Sequence, residues 1–200
     1  MEKLVQVGSQ PLVIGLSGSS GRGDRARAAL GEAGFRTTTF EKKERVQTMI
    51  ENTLRPIYEG IQRDSKPPNK GYNEIALTGL AGFWAGGQAH ILECEHNADS
   101  CFHQAFHAIG SGGATAYAVY RTLGGPRLAS LDEDRALVAL LRIIRTSIWV
   151  DVMGVAEPIT AYSITEAGTR KIAAAEIEAN VELVARWEDE EQRRFFEQEI

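Results

Sequence analysis

Apolar residues in this chain change their period in blocks: strand-like stretches follow one another and helix-like stretches come in pairs. A doubly wound parallel sheet requires single strands alternating with single helices, so the block order disfavours it. Two stacked sheets, covered by helix pairs on their outer faces, accommodate the order as an α+β fold. With 200 residues the chain is long enough to bury one large core and short for two separate ones.

The blocks run as follows. Lys3 to Val7 (KLVQV) alternates apolar and polar residues, a turn follows at Gly8 to Pro11, and Leu12 to Ser17 (LVIGLS) is almost continuously apolar. That predicts a half-buried strand paired with a more buried one. Gly18 to Asp24 (GSSGRGD) is glycine-rich and precedes a helical RARAALGEAGF. It lacks the Lys-Ser/Thr pair of a P-loop and the spacing of a dinucleotide loop, so a turn is the better reading. From Glu41 to Gln62 the residues Val46, Met49, Ile50, Leu54, Ile57, Tyr58 and Ile61 fall on one helical stripe, with Pro56 predicting a kink. A polar loop is expected over Arg63 to Gly71.

Three strands are expected next: Asn73 to Trp84, then Gln88 to His96 after a Gly86-Gly87 turn, then Phe102 to Gly110. Within the last, Ala105 to Ile109 enters a Gly-Ser-Gly-Gly turn at Gly110 to Gly113, and an alanine-rich helix leaves it over Ala114 to Leu123. Glycine lets backbone amides crowd toward a neighbour, and Ser111 stands beside free helix N–H groups. A second helix is expected over Asp132 to Ile148, a strand over Ile159 to Ile164, and helix over Glu166 to Ile200. The charged end of that helix, EDEEQRRFFEQE, reads as a solvated face, or as a partner-binding helix anchored by Trp187, Phe195 and Phe196.

A net charge of −5 without a basic stripe argues against nucleic-acid binding. No apolar run reaches the length of a membrane span, and the first residues lack the pattern of a signal peptide, so a cytoplasmic protein without membrane contact is expected. Cys94 and Cys101 are expected to be free thiols. These two cysteines and all four histidines lie within eighteen residues, as His90, Cys94, His96, Cys101, His103 and His107. Alternation places His90, Cys94 and His96 on one face of a strand, and His103 and His107 on one face of the next. A zinc site at His90, Cys94, His96 and His103 is sterically conceivable, although no paired-cysteine spacing supports it; exposed or capped strand residues are the alternative.

KLVQV, IGLSGS at Ile14 to Ser19 with Asp24 opening the helix, AIGSGGATAYAVYRTL at Ala108 to Leu123, and WVDVMGVAEPITAYSIT at Trp149 to Thr165 occur in this order and approximate spacing. Together they resemble the β-type subunits of the proteasome and of its bacterial ATP-dependent relative, a two-ring threonine peptidase. AIGSGG and the Asp-x-x-Gly at Asp151 to Gly154 resemble the bacterial enzyme most. The resemblance implies a four-layer α/β/β/α sandwich of the N-terminal-nucleophile (Ntn) hydrolase type over residues 1–168, lacking its first strands. Residues 169–200 form a charged helical extension. It further implies like subunits in a ring, protein substrates and an ATP-dependent unfoldase as partner.

Position by position, the resemblance assigns Lys3 to tuning the nucleophile, Gly18 to an oxyanion N–H, and Ser111 and Asp151 to holding the terminal amine. Gly154, Glu157 and Thr160 match backbone positions that bind a monovalent cation, and Pro158 interrupts that loop. No other cofactor is implied. Family members begin with a threonine whose hydroxyl attacks the peptide while its α-amine takes the proton. Only Met1 and Glu2 precede Lys3. Thr37-Thr38-Thr39 leads into a long helix where strands are required, so it is a decoy. The expectation is an N-terminally incomplete peptidase subunit, inactive as written, or a noncatalytic assembly subunit of the same fold, with a small metal-binding protein as a third reading. An edge strand with little charge and no proline, as KLVQV would be, favours the incomplete chain.

Overall fold

The computed structural model describes residues 3–18, 20–64, 77–95, 99–151 and 155–197. The fold is mixed α/β, with an antiparallel sheet and helices, and it forms two compact units. The first comprises Met1–Gly110 with Tyr162–Arg170, the second Ser111–Ala161 with Lys171–Ile200.

In the first unit, β1 (Leu4–Gln6), β2 (Leu12–Gly18), β3 (Leu77–Ala85), β4 (Gln88–Cys94) and β5 (Ser100–His103) form a five-stranded antiparallel sheet in sequence order. Strict alternation divides the residues of β3 between its two faces, Leu77, Ala81, Phe83 and Ala85 being buried on one of them. That face meets α1 (Ser20–Glu32) and α2 (Lys43–Asp64). A Cβ on Gly79 would lie 3.8 Å from Leu54 Cδ1 of α2. The opposite face carries Gly82, where a Cβ would lie 3.1 Å from Ile164 Cδ1 in the hairpin of β6 (Tyr162–Thr165) and β7 (Gly168–Lys171). The first unit therefore has a sheet with helices on one face and a small hairpin on the other.

The α2 stripe is where periodicity places it: Val46, Ile50, Leu54, Tyr58 and Ile61 are buried, and Met49 and Ile57 pack against the same core. Burying each such side chain is worth about 1.5–3 kcal/mol, which offsets the Pro56 position inside the helix. The β3–β4 turn has Gly86 at φ +56° and Gly87 at φ +81°, the paired positive values of a tight two-residue hairpin.

Three expectations are corrected. The glycine-rich stretch is already helical from Ser20, because Gly23, Ala26 and Leu30 make the buried face of α1. Ala105 to Ile109 is not a strand: β5 ends at His103, and the chain after it returns His107 to Glu93. Thr165 and Gly168 flank a turn at Glu166 and Ala167, so the last helix starts later, as α5 (Ala174–Glu197). The charged end of α5 is exposed from Asp189 to Glu197, as expected of a solvated face, while Ile177 and Val184 earlier in the helix are buried. The loop expected over Arg63 to Gly71 falls almost wholly outside the described residues.

The second unit is helical. It contains α3 (Gly113–Thr122), a 3₁₀ turn at Gly125–Ser130, α4 (Glu133–Val150) and α5. Asp132 caps α4 by accepting the Arg135 N–H at 2.9 Å. Its core joins Leu137 and Leu141 of α4 to Ile177 and Val184 of α5, with Ala161 and Ile172.

Candidate functional site

Lys3 and Gly18 lie in the first unit. Lys3 is exposed, and its carbonyl accepts the Leu16 N–H at 3.0 Å across the β1–β2 ladder. Since Leu4 pairs with Gly15, Lys3 stands at the same end of this strand pair as Gly18. Gly18 ends β2 at φ +120°, a value an L side chain rarely adopts, and it is exposed. Next to it, Ser17 Oγ would be 2.9 Å from a Cβ on Gly110, itself at φ +88°. Gly110 therefore packs against the end of β2.

Ser111 and Asp151 lie in the second unit. Ser111 is exposed in the turn that opens α3. Asp151 closes α4, where its N–H donates to the Ser147 carbonyl at 2.9 Å and its carbonyl accepts from the Val155 N–H at 3.0 Å. Gly112 connects the two: a Cβ there would stand 2.6 Å from Val155 Cγ2 and 3.4 Å from Ser147 Cβ. The turn carrying Ser111 is thus packed on the end of α4 that carries Asp151. Among the expected cation positions, Glu157 is exposed and Thr160 half-buried, while Gly154 lies outside the described residues. The decoy threonines form part of a 3₁₀ turn, Thr37–Glu41.

The histidine and cysteine set is divided by the sheet. His90 lies against Phe83 with ring centroids 5.3 Å apart and planes tilted by 36°, and its Nε2 lies 3.1 Å from the Ala85 carbonyl oxygen, on the helix-facing side. Cys94 shares that side and is buried. His103 pairs with Ile91, which places it on the opposite face. His96 falls outside the described residues. The expected four-residue set is therefore not brought together.

A different set is. Glu93 Oε2 lies 3.0 Å from His103 Nε2 and 2.9 Å from His107 Nε2. The two imidazoles are stacked, centroids 3.6 Å apart and planes at 19°. All three side chains are largely buried, at 17%, 23% and 11% exposure respectively. Burial lowers the His107 pKa, with His103 adding to that effect and Glu93 opposing it. Behind the sheet, burial foremost and then the Glu51 and Glu93 carboxylates push the Cys94 thiol up to about 12, so it is an inert thiol. Reading the sequence for His and Cys alone misses Glu93, which shares the face of His103 because Ile91, two residues before it on β4, pairs with His103.

No protein-family model matches the sequence, and neither does any curated relative. Solved structures do match. The chain superposes on Anbu (ancestral beta-subunit) from Yersinia bercovieri with a TM-score of 0.70 at 14% identity, over 100% of this chain and 88% of that one. Anbu from Hyphomicrobium sp. strain MC1 gives a TM-score of 0.70 at 15% identity, over 100% and 86%. The assignment to the bacterial ATP-dependent two-ring enzyme is corrected by these likenesses, which are to the ancestral β-subunit. At such identities they establish architecture, and the conclusion is that this chain has the fold of a proteasome-related β-type subunit.

Proposed function

We propose that this chain is a β-type subunit of a proteasome-like assembly of like subunits, descended from threonine-type endopeptidases and acting in the cytoplasm on protein substrates. The observation that carries the reading is a fold likeness spanning the whole chain. In this reading the architecture is the four-layer α/β/β/α sandwich of Ntn hydrolases, with residues 1–168 as its body and residues 169–200, which carry α5, as a further segment packed on α4.

The chemistry of such subunits is attack on a peptide carbonyl by the hydroxyl of an N-terminal threonine, whose proton passes to the residue's own α-amine. Met1 and Glu2, which precede Lys3 in this sequence, supply no such hydroxyl. Lys3, an ammonium near that amine, favours its uncharged form. The Gly18 N–H is the oxyanion donor, a role worth roughly 2.7–4 kcal/mol of transition-state stabilisation. Ser111 and Asp151 orient the amine. The positive φ of Gly18 and the packing of the Ser111 turn onto the end of α4 support keeping these backbones fixed.

The test is hydrolysis of a fluorogenic peptide by the assembled protein purified from its native source. Asp151→Asn and Lys3→Ala are expected to lower kcat at least about 100-fold while leaving assembly intact. Hydrolysis unchanged in both variants contradicts the assigned roles. Assembly without any hydrolysis assigns the chain to a noncatalytic role in the same architecture.

A further inference from the structure

We infer that Glu93, His103 and His107 form a binding site for a divalent transition metal of the zinc class. The three donor atoms, one carboxylate oxygen and two imidazole nitrogens, all lie within 4.8 Å of one another. Around a zinc ion with bonds of about 2.0–2.1 Å, tetrahedral ligand atoms are separated by roughly 3.3–3.4 Å. The two nitrogen–oxygen separations, 3.0 and 2.9 Å, differ from that by a few tenths of an ångström. Small side-chain rotations that spread the stacked rings would place an ion between the three atoms.

The donor chemistry selects the metal class. Two imidazoles and one carboxylate suit zinc and its neighbours, whereas magnesium and calcium prefer all-oxygen sites. Each imidazole would carry its proton on Nδ1 and offer the Nε2 lone pair. Three protein ligands leave a fourth tetrahedral position for water.

Topology supports a built site. Glu93 is held within β4, His103 is fixed at the end of β5 by the Ile91 pairing, and His107 returns on the chain after β5. Among the described residues, the ion-pair partners of Glu93 are these two imidazoles and no lysine or arginine. A largely buried carboxylate is costly without a compensating charge, and a divalent ion would supply one. The inference is independent of any peptidase role.

The test uses the untagged full chain, stripped with a chelator and titrated with Co²⁺ by visible absorption, then with Zn²⁺ in competition with a chromophoric chelator. One ion per chain is expected. Glu93→Gln, His103→Gln and His107→Gln should each weaken Zn²⁺ binding by more than about 100-fold, since loss of an outer partner alone costs 10- to 100-fold. Cys101→Ser and His90→Gln should leave it unchanged; Cys101 is the exposed cross-strand partner of Glu93, and His90 faces the other way. Imidazole ¹⁵N resonances of the unsubstituted chain provide a second readout that needs no variant: those of His103 and His107 should shift with Zn²⁺ and that of His90 should not. Absence of binding, binding that survives His107→Gln, or binding lost in Cys101→Ser overturns the site and leaves a hydrogen-bonded cluster only.

Discussion

Gly112 and Val155 are in such close approach that a methyl group on the glycine would stand 2.6 Å from Val155 Cγ2. This contact sets the Ser111 turn against the end of α4. Gly112 has φ −73°, so its requirement is space rather than backbone freedom. Gly112→Ala is expected to destabilise the fold by about 1–3 kcal/mol through overpacking. Adding Val155→Ala should recover part of that loss, and urea denaturation of the single and double variants measures it. Independent, additive effects would show that the two residues are not in contact.

Tyr58 donates its hydroxyl to the Cys94 carbonyl at 3.1 Å, joining α2 to β4 in the interior. Tyr58 is 1% exposed, so water cannot replace the lost partner without entering the core. Tyr58→Phe should cost about 1–3 kcal/mol by leaving a buried acceptor short of a donor. Chemical denaturation with an unchanged m-value is the check.

The two thiols should differ sharply in reactivity. Cys101 is exposed and should be alkylated readily at pH 8, while Cys94 should react only after unfolding. The raised Cys94 pKa also carries a sign. Above 9.0 the unfolded thiol ionises, whereas the folded thiol holds its proton until about 12. Its contribution is fully present below pH 9 and is lost as pH rises through that window. Cys94→Ala should therefore show a shallower fall in stability between pH 9 and 11 than the unsubstituted chain.

Arg142 joins α4 to α5 by two means at once. Its guanidinium lies 4.0 Å from the centre of the Trp187 ring and forms a bidentate pair with Glu191. The Arg142 hydrogen bond holds the Glu191 carboxyl below its ordinary range, so that contribution is present above the unfolded pKa and is lost as pH falls through the folded one. Arg142→Lys keeps the charge but loses the planar fork. It should cost about 0.5–1 kcal/mol, read by thermal denaturation, with less of an effect in high salt.

What was legible in the sequence was local. The α2 stripe could be read because seven apolar positions repeat with helical period, and the β3–β4 hairpin because Gly86-Gly87 suits positive φ at both turn positions. Of the β6–β7 hairpin only the first strand was legible, as apolar residues over Ile159 to Ile164; β7 was missed because four residues are too short to show a period of two and Glu166 and Ala167 are good helix formers. Strand alternation correctly grouped His90 with Cys94, but His107 lies beyond the end of β5 and meets His103 through the chain that returns it to Glu93. Alternation could not reveal that the β4–β5 register sets His90 and Cys94 on the helix side and His103 on the face of Glu93, because register is a non-local property. For the same reason the sequence located Lys3, Gly18, Ser111 and Asp151 only by resemblance, while the close approach of Gly112 to Val155 and Ser147 required coordinates.

The most direct measurement is the native mass of the purified protein at micromolar concentration, by native mass spectrometry and sedimentation velocity. A β-type subunit of a proteasome-like assembly should appear as a discrete particle containing many copies of the chain. A single copy at every concentration tested would contradict the account.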